Sequence, residues 1–205
     1  MSWFFGIYGN ISQDVISKAK SIHGAALFKY KSEKIYLSAG GLEETCTTGE
    51  TADGGKFCIC GSGIDKSDKG LFRFMNTTGW REIFSGEFNQ INNLQGHFAG
   101  IVIYENKIEM FTDILGIRNI YYSKTGGNHI FSTRIDFVAK YNGRSRLNLQ
   151  AAATEWMLNT SLSYESYLKN IERFTSGARI RINKNGINST QSLFIPDPKY
   201  FEKGR

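Results

Sequence analysis

Proline is scarce in this chain: 205 residues contain two, against 22 glycines. Both fall at the C-terminal end, at Pro196 and Pro198. That excludes a proline-rich linker or a disordered tract over most of the length. Long apolar runs are missing as well. The opening stretch, Met1–Gly9, is too short to span a bilayer. It also lacks the positive flank and cleavage site of a secretory signal. No later stretch approaches membrane length, so the expectation is a cytoplasmic chain with no membrane partner. The Asn-x-Ser/Thr triplets at Asn10, Asn76, Asn159 and Asn188 then carry no expectation of glycosylation. Cysteine is sparse and odd in number: Cys46, Cys58 and Cys60. In a cytoplasmic setting that argues against a disulfide framework. Cys58 and Cys60 share one face of a strand, but two thiols are too few for a metal site, and His23, His97 and His129 are scattered. The cysteines read as structural and the metal expectation is none. Strong charge is missing too. The formal net charge of +6 is spread along the chain. Its aromatics follow strand patterns suited to a core, so no nucleic-acid partner is expected.

What is present is a globular composition, 40% hydrophobic and 21% charged. Trp3–Tyr8 reads as a first strand. In "NISQDVISKAKSI", Ile11, Val15, Ile16, Ala19 and Ile22 share one helical face, with Ser12 as N-cap and Asp14 in the first turn. "AALFKYKSEKIYLSAGG" reads as a hairpin turning near Lys31-Ser32-Glu33. "EETCTTGETADGG" reads as a polar loop, and "KFCICGSGI" as a short buried strand ending in a glycine turn. A helix carries Trp80, Ile83 and Phe84 on one side. From Gly96 to Tyr141 the pattern is a run of strands, with turns at 105–107 and 125–128. A helix spans Leu149–Leu158, a second helical stretch follows, and a last hairpin turns at Asn183–Gly186. Sequential strands with helices between them predict an α+β fold of antiparallel sheets covered by helices.

The segment "LQGHFAGIVIYENKIEMFTDILGIRNIYYSKTGGNHIFSTRIDFVA" resembles the glutaminase domain of asparagine synthetases. Gly96, Phe98, Ala99, Asp113, Leu115, Gly116, Tyr121, Tyr122, Phe131 and Ser132 match that family in type and spacing. Gly6-Ile7-Tyr8-Gly9 is similar to its opening Gly-Ile-x-Gly. "IERFTSGARIRINKNG" resembles a later element, and Tyr200-Phe201 its linker to a following domain. The resemblance implies an Ntn-hydrolase-like αββα sandwich, two antiparallel sheets between helix layers. It divides the chain into a glutaminase-like domain, 1–195, and a linker, 196–205, toward a second domain. The chain is then expected to be an N-terminal fragment or a free-standing module.

The family releases ammonia from glutamine with a cysteine freed at the N-terminus, whose own α-amine, of pKa near 8, is the base. On this resemblance Phe5 takes the nucleophile's position, and a phenyl ring has neither a nucleophilic atom nor a proton to exchange. Ser2, exposed by removal of Met1, is the alternative nucleophile. It lies three residues earlier, roughly 10 Å along a strand at about 3.3 Å per residue, so it is expected to need a folded-back terminus. The family's Asn-Gly oxyanion element falls on Cys60-Gly61. A thiol is a weak donor in place of an amide, and losing one such donor costs roughly 10²-fold or more in rate. The substrate-binding Asp falls on Thr77 or Asn76, and the carboxylate-binding cation on Lys34. Arg134 stands where the family usually has Glu.

Residues that build the fold match the family, and residues that do its chemistry depart. The expectation is therefore a glutaminase-type domain without glutaminase activity, a scaffold for an ATP-dependent amide-forming domain in cis or in trans. Relatives that use an amine already at hand need no ammonia source. ATP and Mg belong to that second domain, whose Ser-Gly-Gly-x-Asp-Ser loop this sequence lacks; no cofactor is expected here. A homodimer is compatible with the sequence. The other two readings are an active N-terminal-serine amidohydrolase and a non-enzymatic binding module.

Overall fold

The computed structural model describes residues 1–66, 71–85, 91, 94–143, 145–158, 165–174, 176–184 and 186–191. The chain opens with β1 (Trp3–Tyr8), buried along its whole length. α1 (Gln13–His23) starts where the sequence puts it: Ser12 is extended, and its Oγ accepts a hydrogen bond from Val15 N at 3.3 Å. β2 (Phe28–Lys31) and β3 (Ile35–Gly40) form the expected hairpin.

The stretch read as a polar loop is partly a strand. A 3-10 turn over Glu43–Thr45 leads into β4 (Cys46–Glu50). β4 pairs along its length with β5 (Lys56–Lys66), so backbone hydrogen bonds replace the apolar pattern that a more buried strand would show. β5 does not stop at its glycines. Gly61 has φ +107°, and a Cβ there would lie 2.0 Å from the His97 carbonyl oxygen. Glycine therefore lets β5 keep its pairing with the neighbouring strand, where Gly61 lies opposite Phe98.

β6 (Phe72–Phe74), α2 (Thr77–Ser85), β7 (Gln95–Ile103), β8 (Lys107–Thr112), β9 (Ile120–Thr125) and β10 (Asn128–Ser132) follow. The strand run ends earlier than its sequence pattern indicates, because Ile135–Asn142 is helix α3. Phe137, Val138 and Tyr141 are its buried face, spaced for a helix rather than a strand. α4 spans Leu149–Leu158 as expected. The second helical stretch falls partly on residues 159–164, outside the described set. Beyond it, Glu172–Phe174 is strand β11. β12 (Ala178–Asn183) and β13 (Gly186–Gln191) close the described chain, with Pro196 and Pro198 beyond it.

Two antiparallel sheets result. One runs β11-β9-β10-β1-β3-β2, the other β13-β12-β8-β7-β5-β4 with β6 on β5. Strand alternation sorts the side chains into three apolar layers. Phe4, Tyr8, Leu37, Phe131, Ile101, Met110 and Ile180 fill the space between the sheets. Gly6 leaves room there for the Phe131 ring, 2.2 Å from where its Cβ would stand. Trp3, Phe5 and Ile7 face the other way, against α1 and α3, together with Phe137, Val138 and Tyr141. Trp80, Ile83 and Phe84 of α2 cover Phe57, Ile59, Phe98 and Phe111 on the outside of the second sheet. Each such side chain contributes about 1.5–3 kcal/mol through burial. The order is helices, sheet, sheet, helix. No helix among the described residues is long and apolar enough to cross a membrane.

Candidate functional site

Strand alternation decides which sequence candidates reach the inter-sheet space. Ser2 immediately precedes β1 and is in step with Phe4, Gly6 and Tyr8, the inward-facing set. It is 2% exposed, whereas Met1 is 86% exposed. Arg118 Nη1 donates to the Ser2 carbonyl oxygen at 2.7 Å and to Ser2 Oγ at 3.3 Å. Ser2 therefore lies buried at the head of β1, with its side chain on the same side as the inward-facing set.

Phe5 does not. Its ring is fully buried in the outer layer, 5.9 Å from Tyr141, 6.0 Å from His23 and 6.3 Å from Phe137 between ring centres. The sequence puts Phe5 in the nucleophile's place, closing the pocket. The fold turns that side chain toward the helices, so the inter-sheet space is not closed by it.

Arg118 escapes a sequence reading because its position depends on a loop. The Asp113 carboxylate accepts from Ile117 N at 3.0 Å and from Arg118 N at 2.9 Å. The Asp113 carbonyl accepts from Gly116 N and Gly177 N. These bonds wind residues 113–118 tightly and aim the arginine back at the N-terminus. Burial pushes the Arg118 guanidinium below its usual pKa, and Cys60, Asp113 and Cys46 oppose that shift. Arginine stays a cation throughout the accessible pH range.

Beside Arg118 lie Cys46 and Cys60, with Cys58 packed against both. Cys58 and Cys60 are fully buried on the inner face of β5, and Cys46, partly buried, is the cross-strand partner of Cys60 on β4. The three sulfurs lie within 4.8 Å of one another. The sequence spacing joins only Cys58 and Cys60; strand pairing adds Cys46. Thiol hydrogen bonds from Cys58 and then Cys60, together with the Arg118 charge, hold the Cys46 pKa down at about 4, against burial. The Cys58 thiol is pushed up by its bonds to Cys46 and Cys60 and by burial. The Cys60 thiol is pushed up mainly by burial. A thiol whose pKa is lowered by two neighbouring thiols and a cation is of the kind that favours nucleophiles and soft-metal ligands.

The remaining candidates lie elsewhere. Lys34 is exposed at the opposite end of β1, where its carbonyl accepts from Gly9 N at 2.8 Å. It lines a shallow groove with Tyr104, Lys107 and Asn183. Thr77 is exposed at the start of α2, with Oγ1 3.5 Å from the Thr48 carbonyl. Asn76 Oδ1 caps the same helix by accepting from Gly79 N at 3.0 Å. Gly61 adjoins Cys60, but its backbone is committed to β7. Arg134 forms a surface pair with Asp136, 2.8 Å apart. Of the sequence candidates, Ser2 and Cys60 converge, through Arg118. Lys34 and Thr77 do not join them.

No protein-family model matches the chain. No curated protein matches it either. Solved structures do. One is the allosteric regulatory enzyme of purine biosynthesis, at 13% identity and a TM-score of 0.57, with 94% of this chain covered. Another is glutamine phosphoribosylpyrophosphate amidotransferase from B. subtilis complexed with ADP and GMP, at 13% identity and a TM-score of 0.50, again with 94% covered. This chain has the Ntn-hydrolase fold. It spans half the length of each neighbour. At such low identity the likeness concerns the fold alone.

Proposed function

We propose that this chain is a glutamine-amidotransferase-type domain of an asparagine-synthetase-like protein, one that supports an ATP-dependent amide-forming domain without hydrolysing glutamine. The observation that carries this reading is the dispersal of the substrate-binding candidates. A glutaminase must hold the substrate's amine and carboxylate beside its nucleophile, because reacting groups tolerate little misplacement. Lys34 lies at the far end of β1 from Ser2, and Thr77 lies on the outer side of the second sheet. A partner role is supported by α4. Leu149, Ala153, Trp156 and Met157 are exposed along one side of it, spaced i, i+4, i+7 and i+8, an apolar stripe of the kind that marks a protein contact. The amidotransferase-type domain would cover residues 1–195, with 196–205 leading toward the partner, which would carry ATP and Mg.

The test is ammonia release from glutamine by the full chain, after mass spectrometry has established whether Met1 is removed. The expected result is no turnover with the processed terminus.

A second reading is favoured by one observation: Ser2 sits buried at the head of β1 with Arg118 on its hydroxyl. After Met1 removal the Ser2 α-amine would stand near that cation, which lowers an amine's pKa and so favours its base form. Turnover by the processed chain that disappears in Ser2→Ala would establish this reading and refute the first.

A further inference from the structure

The three-thiol cluster is not required by either functional reading, and its geometry has a chemistry of its own. Cys46 and Cys60 face each other across β4 and β5. Cys58 lies two residues from Cys60 on the same inward face. The sulfurs fall within 4.8 Å of one another. Around a zinc ion with bonds of about 2.3 Å, ligand sulfurs stand about 3.8–4.0 Å apart. The cluster therefore needs only small rotamer adjustments to close on one ion. We propose that Cys46, Cys58 and Cys60 form a three-thiolate site for a thiophilic d10 cation, zinc(II) in the first instance.

Three features beyond proximity support the site. Charge is partly compensated: three thiolates and one zinc(II) carry a net −1, which the Arg118 guanidinium beside Cys46 and Cys60 opposes. Arg118 is fixed in place by the Asp113 loop and by its bonds to Ser2, so the compensating charge is present before the ion arrives. Access is available as well, because Cys46 is partly exposed on β4 while the other two sulfurs are buried. Binding is an exchange without redox change: each protonated thiol releases its proton to solvent and donates a sulfur lone pair to the metal. Three thiolates fill three of the usual four positions of zinc.

The experiment uses the reduced full-length chain, stripped of metal and then given zinc(II) or cobalt(II). One zinc retained against excess chromophoric chelator is expected, with thiolate-to-cobalt charge transfer in the near ultraviolet. Cys46→Ser, at the least buried ligand, should weaken binding by at least about 100-fold, since changes outside the ligand set already cost 10–100-fold. Zinc should raise the melting temperature of the wild-type chain and not that of Cys46→Ser. A readout that needs no variant is thiol protection: zinc should shield Cys46, the partly exposed thiol of the folded wild type, from maleimide, as read by peptide mass spectrometry. Failure to retain zinc, failure to shield Cys46, or unchanged affinity in a folded Cys46→Ser chain would each overturn the proposal.

Discussion

Phe5→Ala separates a residue that plugs a reaction pocket from one that holds a helix layer on a sheet. The ring is 0% exposed and sits in the centre of its sheet, on the strand between β10 and β3. It has three aromatic neighbours within 6.3 Å, all on the helix side. An aromatic side chain buries about 150–250 Å², which at about 25 cal/mol per Å² gives an upper estimate of about 4–6 kcal/mol. Truncations of buried Phe to Ala cost about 3–5 kcal/mol once the residual cavity is included. At about 2–4 °C per kcal/mol for a chain of this size, the melting temperature should fall by about 6–20 °C. Urea denaturation followed by tryptophan fluorescence measures the free energy directly. Glutamine hydrolysis should remain at background in this variant and in Phe5→Cys, since a thiol there faces α3. A cost below about 1 kcal/mol, or ammonia release from Phe5→Cys, would refute the assignment of Phe5 to the outer layer.

Glu109 is buried among Lys107, Arg181 and Arg179, at 3.1, 2.8 and 3.4 Å. Burial raises its pKa, but the Lys107 hydrogen bond and the three cations bring it net below the ordinary value. A carboxyl depressed on folding contributes stability above its unfolded pKa, and that contribution is lost as pH falls through the folded pKa. Glu109→Gln should therefore flatten the acid limb of the stability profile below about pH 4.3 and cost about 1–3 kcal/mol at neutral pH, less than a fully buried pair because its cations are partly solvated. Arg118→Met should move the pH profile of Cys46 alkylation to higher pH, since the cation favouring the thiolate is gone; an unmoved profile would disprove their coupling. Gly61→Ala should destabilise by about 2–4 kcal/mol in urea melts, since it combines a positive φ with a clash against the His97 carbonyl that no rotamer relieves.

Local signals carried much of the fold. Ser12, the apolar face of α1, the β2–β3 hairpin and the bounds of α4 all follow from short-range periodicity and capping. Elements whose evidence is non-local were lost. β4 is a strand because β5 offers it hydrogen bonds, and its own Thr-rich sequence has no apolar alternation. α3 hid behind Ile135, Phe137 and Tyr141, apolar at odd positions that fit a strand as well as a helix until Val138 is counted. The site was less legible. Ser2 was recognisable, but which face of β1 it shares depends on the pleat. Cys46 joins Cys58 and Cys60 only through register, and Arg118 reaches Ser2 only through the Asp113 loop, 116 residues away in sequence.

The polar end of the inter-sheet space is informative because the rest of that space is apolar. Phe4, Tyr8, Ile101, Met110 and Ile180 pack there as in any sandwich core. A guanidinium beside them is expensive, since a buried charge costs several kcal/mol unless it is paired and hydrogen-bonded. Arg118 is partly compensated by its hydrogen bonds to Ser2 and by the Asp113 carboxylate. For stability alone a methionine at 118 would serve as well, because replacing a buried charge with an apolar group of similar volume is often neutral or stabilising. Arg118→Met combined with alanine at Cys46, Cys58 and Cys60 should leave the chain folded, at the added cost of the cavities left by the buried thiols, while removing the thiols and the guanidinium of this cluster. If that chain unfolds, the cluster is part of the architecture. If it folds, the cluster is not needed for the architecture.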